Sequence, residues 1–370
     1  MRCRNVQKDV DRLYLKSAIQ LAAKGLHLVT RNNPRVGCLF VKHGQVVSRG
    51  FHRRDGGPHA EIEAIRNATG DLSDCVAYVS LEPCSTHGRT PPCCEALIDV
   101  GVGRVVVAES DPNPFVSGQG LKRLEKSGIE VSIIEIPEAE SLNPGYRKRM
   151  KYGQPFVRLK VGMSVDGRVG AANGESQWIT CSKSRIDVHK LRARSGAIVS
   201  GIGTVLADDP RLNVRLDSEV GPSPIRVIFD TDGRIPPNAK LLETESKVIV
   251  VCRDGVELPE NFTTWRHTSE RGDAREVVTR LGEEGVNEVL VEAGPELTGT
   301  FLNSGVWDEL VVYMAPLVLG FEGMPMAKVK IDQLSDAIGG RVASVEQIGD
   351  DVRIVIENVS SGKLQTRSII

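Results

Sequence analysis

Apolar residues recur at helical spacing over residues 6–23, where Val10, Leu13, Ile19, Leu21 and Ala22 gather on one face. Residues 36–41 and 45–51 read as strands, joined at Lys42-His43-Gly44, a turn signal containing glycine. The pattern then predicts a helix over 60–68, a strand over 75–81 and a helix over 93–100. A strand over 104–108, a helix near 121–126 and a strand over 129–134 follow. Strands alternating with helices predict an α/β layer fold with a largely parallel sheet.

Residues 138–150 read as one helix ending in the basic run Arg147-Lys148-Arg149. Gly153, Gln154 and Pro155 then punctuate the chain. The expected domains are therefore 1–152 and 153–370. The second half opens with a strand over 156–161. A helix over 182–193, with Ser182 as its N-cap, comes next. Short buried strands follow over 225–229, 247–251 and 288–291, with a helix over 273–284. Two late strands, 310–314 and 352–356, have no long helix between them, which predicts an antiparallel edge.

Composition narrows the class. The 370 residues suit two domains. With 40% hydrophobic and 26% charged residues, the chain is globular rather than disordered. The formal net charge is −1, with a mild basic excess in the first half and a mild acidic excess in the second. Neither half carries the dense basic stripe that polyanion binding needs, so no nucleic-acid partner is expected. The mild basicity suits a solvated surface or a phosphate-bearing small substrate. Eight cysteines, a polar N-terminus and no run of membrane-span length predict reduced thiols and a cytoplasmic, membrane-free protein.

The chemistry concentrates at His59-Ala60-Glu61, where a loop enters a helix, at Cys84 after a strand, and at Cys93, which opens a helix. Two thiolates and one imidazole are the ligand set of a zinc ion with one open position. A water there has its pKa lowered to about 7. Glu61, two residues past the histidine, is placed to carry a proton from water to departing ammonia. The set matches the zinc-deaminase pattern H-x-E with P-C-x-x-C, except that eight residues separate Cys84 from Cys93. That insert sets His87 and Arg89 at the pocket mouth, available to a phosphate or a pyrimidine. Cys94, adjacent to Cys93, is an alternative ligand, and His52 is a spare fourth donor. A lone H-A-E is a weak signal, and three ligands are one short of a structural zinc site.

In the second half, G-x-G-x-x-G is absent. In its place, Glu292-Ala293-Gly294-Pro295-Glu296-Leu297-Thr298-Gly299-Thr300 follows a strand and opens a helix, where backbone N–H groups suit a phosphate. Most strand–glycine–helix turns only cap helices. Lys160, Arg192 and Arg215 are candidate cations for a sugar phosphate. Glu292, at a strand's C-terminal end, suits sugar hydroxyls.

The motif series is more specific than any member. Asn32-Asn33-Pro34-Arg35-Val36-Gly37-Cys38, Pro58-His59-Ala60-Glu61 and the run from Leu81 to Cys93 resemble the riboflavin-biosynthesis pyrimidine deaminases, whose spacing includes the eight-residue insert. Lys160-Val161-Gly162-Met163-Ser164-Val165-Asp166-Gly167, Gly174-Glu175-Ser176-Gln177-Trp178-Ile179-Thr180, Gly203-Thr204-Val205-Leu206-Ala207-Asp208-Asp209-Pro210 and Val291-Glu292-Ala293-Gly294-Pro295 resemble the reductase fused to them.

The resemblance implies a cytidine-deaminase-like α/β/α sandwich followed by a dihydrofolate-reductase-like α/β domain with a mostly parallel sheet. It implies zinc and NADPH as cofactors. It also implies hydrolytic deamination of 2,5-diamino-6-(5-phosphoribosylamino)pyrimidin-4(3H)-one to the aminouracil, then reduction of the ribosyl to a ribityl chain. Asn33 would contact the pyrimidine. Ser176, Arg192, Leu212, Arg215 and Glu292 would contact the reductase substrate. Gly162, Trp178, Thr204, Asp208, Thr231 and the Gly294–Thr300 turn, comprising Gly294, Pro295, Glu296, Leu297, Thr298, Gly299 and Thr300, would contact NADPH. Asp208 is the candidate proton donor. The competing readings are a nucleotide- or RNA-directed deaminase with a binding appendage, and a non-catalytic interaction protein on the same scaffold. The sequence leaves oligomeric state, dimer or tetramer, open.

Overall fold

The N-terminal apolar stripe forms helix α1 (Arg2–Ala23). The hairpin follows as β1 (Gly37–Lys42) and β2 (Gln45–Phe51). Its two turn residues, His43 and Gly44, both have positive φ, 51° and 77°, the conformation that two-residue hairpins favour. In this computed structural model, which describes residues 2–27, 33–54, 56–86, 91–216 and 223–359, helices and strands then alternate. They are α2 (Ala60–Arg66), β3 (Val76–Val79), α3 (Cys93–Asp99), β4 (Arg104–Val107), α4 (Gln119–Lys126) and β5 (Glu130–Ile133).

The sheet order is β2-β1-β3-β4-β5. The β2, β1 and β3 neighbours are antiparallel, and β3, β4 and β5 are parallel. Strand alternation divides the core in two. Cys38, Phe40, Ala77, Val79, Val105 and Val107 pack with residues of α2, α3 and α4. Leu39, Val41, Tyr78 and Val106 pack on the other face with α1 and with Ala139 and Leu142. This is the α/β/α sandwich expected of the first half.

The single helix expected over 138–150 is two, α5 (Pro137–Leu142) and α6 (Pro144–Tyr152). Pro144 has no N–H and cannot continue a helix from the preceding turn, so Asn143 leaves helical geometry at φ −125°, ψ 52°.

Residues 1–153 and 154–370 form two compact units. In the second, β6 (Phe156–Ser164), β7 (Arg168–Gly170), α7 (Ser182–Ala193), β8 (Ala197–Gly201), α8 (Ile202–Asp208) and β9 (Ile225–Phe229) come first. They are followed by β10 (Val248–Arg253), β11 (Thr263–His267), α9 (Ala274–Glu283), β12 (Glu288–Glu292), α10 (Pro295–Ser304), β13 (Glu309–Ala315), β14 (Met324–Pro325), β15 (Gly340–Ile348) and β16 (Asp351–Asn358). The main sheet runs β11-β10-β9-β8-β12-β6-β13-β16-β15. All pairs from β11 to β13 are parallel, while β16 and β15 add the antiparallel edge.

Ser182 is not the N-cap of α7. That position is Cys181, whose N–H is taken by the Asp351 carboxylate at 2.8 Å. No helix among the described residues is long and apolar enough to cross a membrane.

Candidate metal centre and reductase site

In the first unit, α2 docks closely on β2. A Cβ at Gly50 would strike the backbone of Ala60 and Ala64, so only glycine lets the helix approach this far. The docking fixes His59, the N-cap of α2. Cys84 lies on the segment leaving β3, and Cys93 opens α3. The ligand atoms of His59, Cys84 and Cys93 all fall within 4.8 Å of one another. His59 Nδ1 is 3.2 Å from Cys93 Sγ and 3.5 Å from Cys84 Sγ, and the Cys93 N–H donates to Cys84 Sγ at 3.3 Å. Two soft thiols and an imidazole in one cluster are the donor set zinc takes.

Cys94 points elsewhere, into the apolar cluster formed with Leu97 and Leu121. His52 also stays outside the donor cluster. Its Nδ1 donates to the Pro58 carbonyl at 2.9 Å, which leaves Nε2 to accept from the Asn33 amide at 3.5 Å. Its ring stands edge-on to that of His59, 5.4 Å between centroids. His52 thus links Asn33 to the turn carrying His59.

Electrostatics in the cluster follow from burial and hydrogen bonding. The Cys93 thiol, then His59 and the Cys93 N–H, hold the Cys84 thiol down at about 4 against the cost of burial, and Cys93 is pushed up in turn. Glu61 is buried beside them, close enough to Cys93 for its carboxyl to feel the thiol. Burial, reinforced by the Cys84 thiolate, pushes its carboxyl up to about 7, near the value a proton shuttle needs at neutral pH.

Two residues not singled out by the sequence hold this arrangement. The buried Glu82 carboxylate accepts the backbone N–H groups of Asp111, Gly118 and Gly120 at 3.1, 2.9 and 3.0 Å, tethering the Cys84 segment to the start of α4. The Asn143 amide pairs with both backbone groups of Arg35, two residues beyond Asn33. His87 and Arg89 lie outside the described residues.

In the second unit, Lys160 on β6 and Glu292 on β12 are register partners on adjacent parallel strands. They lie at the C-terminal end of the sheet, where open α/β folds bind ligands. Arg192 from α7 grips the Glu292 carboxylate at two points, 2.5 and 3.0 Å, and Lys160 stands 3.6 Å away. Burial alone would raise the Glu292 carboxyl, but Arg192 and Lys160 outweigh it and hold it at about 2. Arg192 also donates to the Asn213 carbonyl at 3.1 Å, and Arg215 donates from its side chain to Asn213 Oδ1 at 3.3 Å. Leu212, buried with φ 45°, anchors the same loop. The structure therefore brings Lys160, Arg192, Leu212, Arg215 and Glu292 into one neighbourhood.

The residues expected at NADPH surround the neighbouring strand ends. A Cβ on Gly162 would press on the Thr180 methyl, so the 174–180 loop, with half-buried Ser176, lies over β6. Gln177 donates to the Asp208 carboxylate at 2.7 Å, joining that loop to α8, which also carries Thr204. Trp178 is exposed, with the Arg185 guanidinium 4.5 Å above its ring. Thr231 follows β9, and its carbonyl accepts from Arg253 N.

The Gly294–Thr300 run divides. Leu297, Thr298 and Gly299 are buried within α10. Gly294, Pro295 and the exposed Glu296 form its start, and Thr300 spends its hydroxyl on the Glu296 carbonyl. The first intrahelical bond is Thr298 N to the Gly294 carbonyl, and a Cβ on Gly294 would meet nothing within 4 Å. Space is thus open beside Gly294, at a helix start of the kind whose backbone N–H groups can hold an anion. Pro295 there has no N–H, and the Glu296 carboxylate is paired with Lys328 and Arg271.

Comparison with known proteins agrees with both halves. Residues 8–109 match the cytidine and deoxycytidylate deaminase zinc-binding region, and residues 155–354 match the RibD C-terminal domain. The riboflavin biosynthesis protein RibD of Escherichia coli is 43% identical over 359 residues, covering 92% of this chain and 98% of its own. Its Haemophilus influenzae counterpart is 42% identical, with 93% and 96% covered. The solved structure of Acinetobacter baumannii RibD superposes with a TM-score of 0.87 at 39% identity, covering 95% of this chain and 99% of that one. A Thermotoga maritima diaminohydroxyphosphoribosylaminopyrimidine deaminase/5-amino-6-(5-phosphoribosylamino)uracil reductase does so at 0.86 and 32% identity, with the same coverage.

Proposed function

Since the chain belongs to the RibD family of riboflavin-biosynthesis proteins, we propose that its two activities divide between its units, deamination in 1–153 and reduction in 154–370. It is a zinc-dependent deaminase and an NADPH-dependent reductase. The observation that carries the deaminase assignment to particular residues is the convergence of His59, Cys84 and Cys93 beside buried Glu61.

His59 Nδ1 and the sulfurs of Cys84 and Cys93 would hold zinc, which lowers the pKa of a bound water to about 7. Glu61 takes a proton from the attacking water and delivers it to the nitrogen leaving the pyrimidine as ammonia. Asn33, oriented by His52, holds the ring. The substrate is the diaminopyrimidinone bearing a phosphoribosylamino group, in line with the name of the Thermotoga maritima relative.

In the second unit the residues assigned to the cofactor would hold NADPH, whose chemistry, when bound, would be hydride donation to C1 of the opened ribosylamine. The chain's own residues bind and orient the sugar. Partial burial, and then the cationic neighbours Arg192 and Arg211, hold the Arg215 guanidinium below its ordinary range, although its side chain stays exposed to solvent. Such crowding of like charge is relieved by a phosphate dianion, which supports the sugar-phosphate assignment. Ser176 and Glu292 would contact the sugar hydroxyls, and Asp208, fixed by Gln177, is the candidate proton donor. Gly162, Trp178, Thr204, Thr231 and the start of α10 would line the cofactor. The described cysteines are all free, in keeping with a reducing, cytoplasmic setting.

Ammonia release from the diaminopyrimidinone and NADPH oxidation with the aminouracil, assayed separately on one purified chain, test the two halves. A zinc-loaded chain that yields neither contradicts the assignment.

A further inference from the structure

Helix α7 holds the 209–216 loop at two points. One is the bond from Arg192 to the Asn213 carbonyl, 3.1 Å. The other comes from His189, one helical turn earlier on the same face. Its Nδ1 accepts the backbone N–H of Arg215, also at 3.1 Å. Residues 213 and 215 are thus both fixed by α7, with buried Leu212 anchoring the chain just before them. The free end of this web is the exposed Arg215 side chain, steadied by Asn213 Oδ1.

We propose that His189 is a positioning residue of the reductase, whose Nδ1 fixes the loop that presents Arg215 to the phosphate of the substrate. This rests on the assignment of Arg215 to that phosphate. The chemistry requires a neutral ring. An Nδ1 that accepts an amide N–H carries no proton, so the ring proton sits on Nε2. The surroundings enforce that state, because burial and then the Arg192 and Arg215 guanidinium groups disfavour a charged imidazole. Lysine or arginine could not substitute, having no acceptor.

Steady-state reductase kinetics test this. His189→Leu removes the acceptor while filling the space. It should raise KM for the phosphoribosylaminouracil roughly three- to tenfold, the effect of one ordinary hydrogen bond. The KM for NADPH, kcat and the deaminase rate should stay near wild type. His189→Gln, which keeps an acceptor, should recover most of the loss. Should H189L fail to fold, judged by thermal unfolding, His189→Ala carries the same expectation.

Arg215→Gln separates the two assignments. It should raise the same KM, and adding H189L to it should raise KM no further. If R215Q leaves KM unchanged, the phosphate role of Arg215 is wrong, and the role of His189 falls with it. If R215Q raises KM but H189L does not, or H189L acts in full on the R215Q background, only the His189 proposal is overturned.

Discussion

The side-chain amide of Asn143 bridges the backbone of Arg35, accepting its N–H at 2.8 Å and donating to its carbonyl at 2.9 Å. This is the pairing a neighbouring strand would supply, delivered by one side chain from the break between α5 and α6. Because only Pro34 separates Arg35 from Asn33, the bridge also steadies the segment that carries Asn33, the proposed pyrimidine contact. Asn143→Ala would remove both of these hydrogen bonds, each worth about 0.5–1.5 kcal/mol net. The first unit should lose about 1–3 kcal/mol in urea unfolding. The deaminase KM should rise, while reductase kinetics stay unchanged.

Glu61 lies outside the His59–Cys84–Cys93 donor cluster. Glu61→Gln keeps the shape of the residue but cannot carry a proton. Deamination should fall by at least about 100-fold. Bound zinc, measured by elemental analysis, should match wild type. Loss of zinc together with activity would make Glu61 a structural support of the cluster instead.

The adjacent cysteines give a paired test. Cys93 Sγ lies 3.2 Å from His59 Nδ1, whereas Cys94 is buried among apolar side chains. Cys93→Ser should purify without stoichiometric zinc, and Cys94→Ser should retain it. The reverse pattern would transfer the ligand role to Cys94.

The Glu292–Arg192 pair links stability to pH. The folded carboxyl titrates at about 2, against 4.5 for an unperturbed one. Its contribution is therefore complete above pH 4.5 and lost progressively as pH falls from there toward 2. Glu292→Gln leaves Arg192 unpaired and should destabilise the second unit by about 3 kcal/mol at pH 7. The gap between variant and wild type should narrow between pH 4.5 and 3 in denaturant titrations. A gap independent of pH would show that the ion pair is not its source.

Much of the architecture is written in local pattern. The β1–β2 hairpin follows from alternation plus His43-Gly44, and the helix expected over 273–284 is α9, with Asp273 just outside it as the N-cap that accepts from Arg275 N. The strands β8 and β15 are harder. The five-residue run of β8 is buried in mid-sheet, and a short continuous apolar run has no periodicity to mark it as strand. The residues of β15 are mostly exposed on both faces, so hydrophobicity carries no signal, and the ladder to β16 defines it.

The candidate site divides in the same way. His59, Glu61, Cys84 and Cys93 are legible because their chemistry and helix-start positions are local. Glu82, Asn143 and His189 are not, because each acts on backbone N–H groups at least 26 residues away. Only the fold brings those amides within reach.

The most direct test of a two-step enzyme starts from the diaminopyrimidinone with zinc and NADPH present, following ammonia and NADPH together. Wild type should release ammonia first and then oxidise one NADPH per ammonia. The E61Q variant should do neither from that substrate, yet oxidise NADPH normally when given the phosphoribosylaminouracil. NADPH oxidation by E61Q from the diaminopyrimidinone, with no ammonia released, would contradict the order of steps and the role of the His59–Cys84–Cys93 centre in supplying the reductase.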